Sequence, residues 1–160
     1  MELKVEKLDG QSFSEFGSIL NPDDCGEPLI SADGLAYYAD KLPLTFSCST
    51  LITLNFLKLE KRPFKIDFTE AHDLTEEIIG GFNEDIVFHM GPATKDPDFP
   101  KYRAFILPKN NWCRFKKGVW HGGPFAIKEG VTLGWVLLPP FTYTNDTRGI
   151  TIEKPIEIKI

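Results

Sequence analysis

Glu70, His72, Glu77 and His121 are the side chains of this sequence whose types and spacing suit chemistry. Carboxylate oxygens and imidazole nitrogens hold divalent cations and also move protons. Glu70 and His72 stand two residues apart at the end of the run Phe64 to His72, so in an extended strand they project to the same side. Alternation then puts Ile66, Phe68, Glu70 and His72 on one face, apolar at its start and ending in ligands. If that face lines a small barrel, a carboxylate and an imidazole enter a low-dielectric cavity, which costs free energy unless a metal or a substrate compensates them. Glu77 and His121 are expected to complete the site. A Glu-His-Glu-His set suits Mn, Fe, Ni, Co or Zn, so the identity of the divalent ion stays open. The competing reading makes His72 a satisfied core histidine, and Glu70 and Glu77 solvated carboxylates on an acidic turn beside Asp73 and Glu76.

The elements that must position these groups are short. Leu3 to Leu8, Leu35 to Tyr38, Thr50 to Leu59, Phe64 to His72, Ile86 to Met90, Arg103 to Leu107, Trp112 to Phe115, Val131 to Leu138 and Ile150 to Ile160 alternate in polarity or favour β-branched and aromatic residues. Helical periodicity is confined to Ser12 to Phe16 and Thr75 to Ile78. Asn21 to Asp33 and Gly91 to Pro100 are rich in Pro, Gly and Asp and read as surface loops that can gate a barrel mouth. The pattern predicts an all-β chain with few short helices, a single-domain sandwich or jelly-roll barrel over residues 1–160.

Composition narrows the function classes. With 160 residues, 42% of them hydrophobic, the chain supports one core. A net charge of -5 argues against a nucleic-acid or anionic-membrane surface and leaves a small-molecule partner. Met1 to Glu6 alternates in polarity where a secretory signal would be basic and then apolar, so a cytoplasmic protein is expected. Cys25, Cys48 and Cys113 have no paired spacing and are expected to be buried reduced thiols. His89, flanked by Phe88 and Met90, is expected to be structural, and Trp112, Trp120 and Trp135 to fill the core and interfaces, with one of them at the pocket floor.

Glu70-Ala71-His72, four residues, Glu77, and later Gly118-Val119-Trp120-His121 resemble the metal-binding pattern of the cupin barrels, with a Glu in place of the first His. The likeness extends further. Phe13 to Gly17, Leu51 to Asn55, Arg62-Pro63-Phe64, Glu70-Ala71-His72, Arg103-Ala104-Phe105-Ile106 and Val119-Trp120-His121 occur in the order seen in the ureidoglycolate lyase family, also called ureidoglycolate hydrolase. The resemblance implies a cupin-like barrel, a homodimer, and cleavage of ureidoglycolate into glyoxylate and urea. The chain departs from the family at Lys116 and Gly122, where members often carry His, and at Glu77, where members can carry Gln.

Lysis of ureidoglycolate needs a base for the hydroxyl proton and an acid for the departing nitrogen. Under this reading Glu70, His72, Glu77 and His121 hold the ion, or one of Glu70 and Glu77 serves as the base. Arg103 is expected to grip the substrate carboxylate through a bidentate pair. Lys117, which shares strand parity with His121, is a better pocket candidate than Lys116, against the reading of both as a solvated pair before Gly118, which can break the alternation. Two rivals stay open: a metal-dependent cupin that isomerises or oxygenates another hydroxy acid or a sugar, and a small-molecule-binding barrel without turnover.

Overall fold

Turn-forming residues recur every few positions and leave room only for short extended runs. The computed structural model, which describes residues 1–160, forms such runs almost throughout. The strands are β1 (Glu2–Lys7), β2 (Gly17–Leu20), β3 (Ile30–Ala32), β4 (Leu35–Tyr37), β5 (Thr53–Glu60), β6 (Lys65–Ala71), β7 (Glu77–Gly80), β8 (Ile86–Gly91), β9 (Arg103–Leu107), β10 (Trp112–Phe115), β11 (Trp120–His121), β12 (Phe125–Ala126), β13 (Val131–Leu138) and β14 (Arg148–Lys159). A single four-residue α-helix, α1 (Thr142–Asn145), precedes the last strand, and three-residue 3₁₀ turns stand at Pro22–Asp24 and Phe99–Lys101. Strand makes up 48% of the chain and helix 6%, and no helix is long and apolar enough to cross a membrane.

A seven-stranded sheet runs β11-β6-β14-β1-β9-β8-β12, and β11 also pairs with β8, so six of its strands close into a barrel. A five-stranded sheet, β2-β10-β7-β13-β5, packs against the outer wall of that barrel. The fold is the all-β, cupin-like jelly-roll class expected from the sequence. Closure creates two cores. Leu3, Ile66, Ala71, Val87, Ala104, Trp120, Phe125 and the β14 residues Ile152, Ile156 and Ile158 all belong to the seven-stranded sheet, and they fill the barrel. Phe13, Phe16, Phe88, Phe105, Phe115, Ile79 and Val136 come from both sheets and their connections, and they bind the two together. β8 therefore buries both faces, Val87 on one side and Ile86, Phe88 and Met90 on the other.

Each of the nine expected runs overlaps a strand, but the helical expectations fail. Thr75 to Ile78 leads into β7, all of whose residues are buried, flanked by β10 and β13. A strand covered on both faces loses the alternation that identifies it. Ser12 to Phe16 makes only a turn, in which the Phe16 and Gly17 N–H groups both donate to Phe13 O at 2.9 and 3.0 Å. The single expected face of β6 is also broken. Ile66 enters the barrel core while Phe68 is 43% exposed, and β14 slips register opposite them between Thr151 and Ile156. Of the three free thiols only Cys113 is buried, whereas Cys25 is half-buried and Cys48 exposed.

Gly134 lies on β13 where a Cβ would stand 2.1 Å from the buried Phe82 ring. Gly134→Ala is expected to cost about 1–3 kcal/mol through overpacking, read as a lower urea midpoint. Gly10→Ala, whose added Cβ meets nothing within 4 Å, is expected to leave the midpoint in place.

Candidate metal centre

The site draws on both sheets. His72 directly follows β6, and antiparallel pairing sets His121 of β11 opposite Glu70. Glu77 opens β7 in the other sheet, paired with Phe115. The four side chains line a cavity of about 160 Å³ between the outer wall of the closed barrel and the aliphatic inner face of the five-stranded sheet, where Leu57, Ile79, Val136 and Leu138 stand. The expectation that the ligands lie inside the small barrel is thus corrected, because apolar side chains fill that interior.

The donor atoms of Glu70, His72 and His121 lie within 4.8 Å of one another, close enough to hold a metal ion. Glu77 Oε2 is 3.3 Å from His72 Nε2 and 3.4 Å from His121 Nε2. The tautomers follow from the other ring nitrogens. His72 Nδ1 is 2.8 Å from Asp146 O, and His121 Nδ1 is 3.0 Å from Val119 O. Carbonyls only accept, so both Nδ1 atoms carry hydrogen, and in the neutral rings both Nε2 lone pairs face Glu77. His121 Nε2 is buried without a well-aligned hydrogen bond. Lone pairs crowded on one point repel unless a proton or a metal ion stands among them, so the donor set fits a divalent ion.

Without an ion the proton takes that place. Burial works against a charged His72, yet the hydrogen bond and charge of Glu77 prevail and raise its pKa above the usual 6.5. Burial likewise pushes Glu77 upward, and the charges and hydrogen bonds of His121 and His72 outweigh it and bring its pKa down to about 2.

Asp146 holds the ligand-bearing turn from two directions. Its Oδ1 accepts from the N–H groups of Asp73 (3.0 Å) and Leu74 (3.1 Å), and its Oδ2 from Leu74 (2.9 Å) and Thr75 (3.1 Å), while its own carbonyl orients His72. Gly118 N–H donates to His72 O at 2.7 Å from the opposite side. The sequence gives no local signal for Asp146, since its partners lie 71 to 73 residues away. The Leu57, Ile79, Val136 and Leu138 wall and Phe115, 5.1 Å from the His121 ring, also escaped the motif reading.

Two expected site residues lie elsewhere. Arg103 forms a two-point ion pair with Glu6 and donates to Ser12 O at 2.7 Å, so its guanidinium is committed to the barrel wall rather than to a substrate. Lys117 sits in a turn, because Gly118 at φ 76° resets the alternation that had placed it in the pocket. Neither residue lines the cavity. His89 is structural as expected: it stacks on Tyr102 at 5.9 Å, and burial drives its pKa down to about 3. Trp120 is buried in the barrel and donates from Nε1 to Thr94 O at 3.0 Å, so it does not floor the pocket. No family model matches the chain, and no curated protein matches it.

Calorimetry and elemental analysis are expected to find one divalent ion per chain, lost in His72→Ala and in His121→Ala. Asp146→Ala keeps every ligand but frees the turn, and is expected to weaken the ion by about 10–100-fold. Arg103→Ala is expected to change nothing. Protons compete for the imidazoles, and with the His72 pKa raised above 6.5, binding should begin to weaken at a higher pH than an ordinary imidazole would impose.

Proposed function

We propose that this chain is a metal-dependent, cupin-type enzyme acting on a small 2-hydroxy acid, and that cleavage of ureidoglycolate into glyoxylate and urea is the reaction to test first. The observation that supports it is the pair of Nε2 atoms, oriented by their Nδ1 hydrogen bonds and set 3.3 and 3.4 Å from the Glu77 carboxylate. A divalent ion, when bound, supplies a Lewis acid that lowers the pKa of a chelated hydroxyl. His72, His121 and Glu77 would hold it, and the Glu70 oxygen, also within 4.8 Å of both imidazole donors, would stand beside it free for proton transfer. Glu77 is spanned by both imidazoles at 3.3 and 3.4 Å, so its carboxylate is already committed and is the poorer base. Glu70, half-buried on the cavity wall, is left to accept the hydroxyl proton and return it to the departing nitrogen. Ile79, Phe115 and Val136 limit access of water to that transfer.

The matching stretches Arg103 to Ile106 and Val119 to His121 support the lyase form of this chemistry. A second reading, isomerisation or oxygenation of a sugar, which carries no carboxylate, is favoured by a specific observation. No Lys or Arg lines the cavity to meet the carboxylate of ureidoglycolate. Urea and glyoxylate should appear with metal-loaded protein, and Glu70→Gln is expected to keep the ion and lose turnover by about 10²–10⁴-fold. Full metal loading with no product from ureidoglycolate removes that substrate, and no product from any hydroxy acid or sugar leaves a binding barrel. We also propose a homodimer, with a second copy covering Leu54, Phe56, Leu133 and Trp135, which are 42 to 66% exposed on the outer face of β5 and β13. Light scattering should then read twice the chain mass of 18.1 kDa.

A further inference from the structure

The metal-facing cavity does not end at its ligands. Leu57, Val136, Leu138 and Tyr143 line it and also line an outer cleft of about 420 Å³ bounded by β5, the end of β13 and residues 139–143. No charged side chain lines this cleft. Its polar side chains are engaged within the wall: Thr53 Oγ1 donates to Leu138 O at 2.8 Å, Asn55 Nδ2 to Thr53 Oγ1 at 3.2 Å, and Thr142 Oγ1 to Pro139 O at 2.8 Å. The surface left facing the space is aliphatic and aromatic.

The mouth of the cleft is held in a costly conformation. Phe141 caps α1 with a left-handed φ of 61°, a conformation that strains a bulky residue. Its carbonyl accepts from the Thr144 and Asn145 N–H groups, each at 3.0 Å, so the turn is fixed. The Phe141 and Tyr143 rings stand 6.3 Å apart and are 61% and 73% exposed beside the uncharged cleft. Apolar surface kept wet at the entrance of a ligand cavity is surface that a ligand can cover.

We propose that the substrate has two limbs: an oxygen-bearing head at the metal centre and an apolar limb, aliphatic or aromatic, seated in this outer cleft. The inference rests on the metal-centre reading above and narrows its substrate class to 2-hydroxy acids with an apolar substituent in place of the polar ureido group of ureidoglycolate. Continuity of the two spaces through Leu57, Val136, Leu138 and Tyr143 sets the order of the limbs, with the chelating oxygens inside and the hydrocarbon outside.

The test is a calorimetric series on metal-loaded protein with glycolate, lactate, 2-hydroxybutanoate, 2-hydroxyhexanoate and 3-phenyllactate. The dissociation constant is expected to fall about three- to fourfold per added methylene. Asn55→Asp, which puts a charge into the cleft only, is expected to erase that gain while glycolate still binds, and Phe141→Ser to reduce it. A flat series on protein that holds its ion and binds glycolate overturns the apolar limb alone. Failure to hold any ion overturns the metal reading instead, and the limb is then judged on metal-free protein by methyl NMR. Shifts of Leu57, Val136 and Leu138 with 2-hydroxyhexanoate but not with glycolate support it, and unmoved methyls sink it.

Discussion

Glu77 Oε2 stands within 3.4 Å of two imidazole nitrogens whose ring partners have already committed their protons to backbone carbonyls, and such a contact holds only with positive charge in its midst. The requirement spans the molecule, because Glu77 belongs to one sheet while His72 and His121 belong to the other. The two sheets cannot slide past one another without pulling the carboxylate from its partners. The phenylalanine-rich core between them fixes that relation, with Phe13 packed edge-on to Phe88, Phe105 and Phe115 at centroid distances of 5.9, 5.5 and 6.3 Å. Apolar packing supplies most of the adhesion, and the ligand cluster sets what the adhesion must hold in place.

Closure of the barrel gives His121 a rigid mount on a strand of only two residues. β11 is paired on both sides, to β6 and to β8, and Thr69 Oγ1 donates to His121 O at 3.0 Å from within the barrel. The following residue has to be glycine, since a Cβ at Gly122 would lie 2.8 Å from His89 Cε1. The room beside it is taken by an internal His89, stacked on Tyr102 and driven well below the usual imidazole pKa by burial.

What the sequence revealed and concealed follows from the range of the interactions. Glu70 and His72 were legible because their relation is local to one strand, and the pairing of β11 with β6 brought His121 to them as the motif implied. Strands with one covered face were legible by alternation, whereas β7, covered on both, was read as helix. Lys117 was misplaced because parity was carried through Gly118, where φ is 76°. Arg103 was misplaced for another reason: β1 and β9 run parallel, and this brings Glu6, almost a hundred residues earlier, within reach of its guanidinium. Asp146 left no trace at all, since it acts on a turn more than seventy residues away.

The charge balance of the cavity connects the metal centre to the shape of its ligand. Glu70 and Glu77 are its only carboxylates, and no Lys or Arg lines it. A divalent ion set among two carboxylates and two imidazoles leaves no surplus positive charge to draw in a carboxylate head. An anionic substrate must then displace solvent from the ion without help from an Arg or Lys, a weak source of affinity in a partly hydrated site. Hydrocarbon contact is what the walls offer in its stead: Leu57, Val136 and Leu138 face the ligands on one side and run on into the uncharged cleft on the other. Under the proposed reading the oxygens of the substrate would set its orientation, and burial of its apolar part would supply the larger share of its binding.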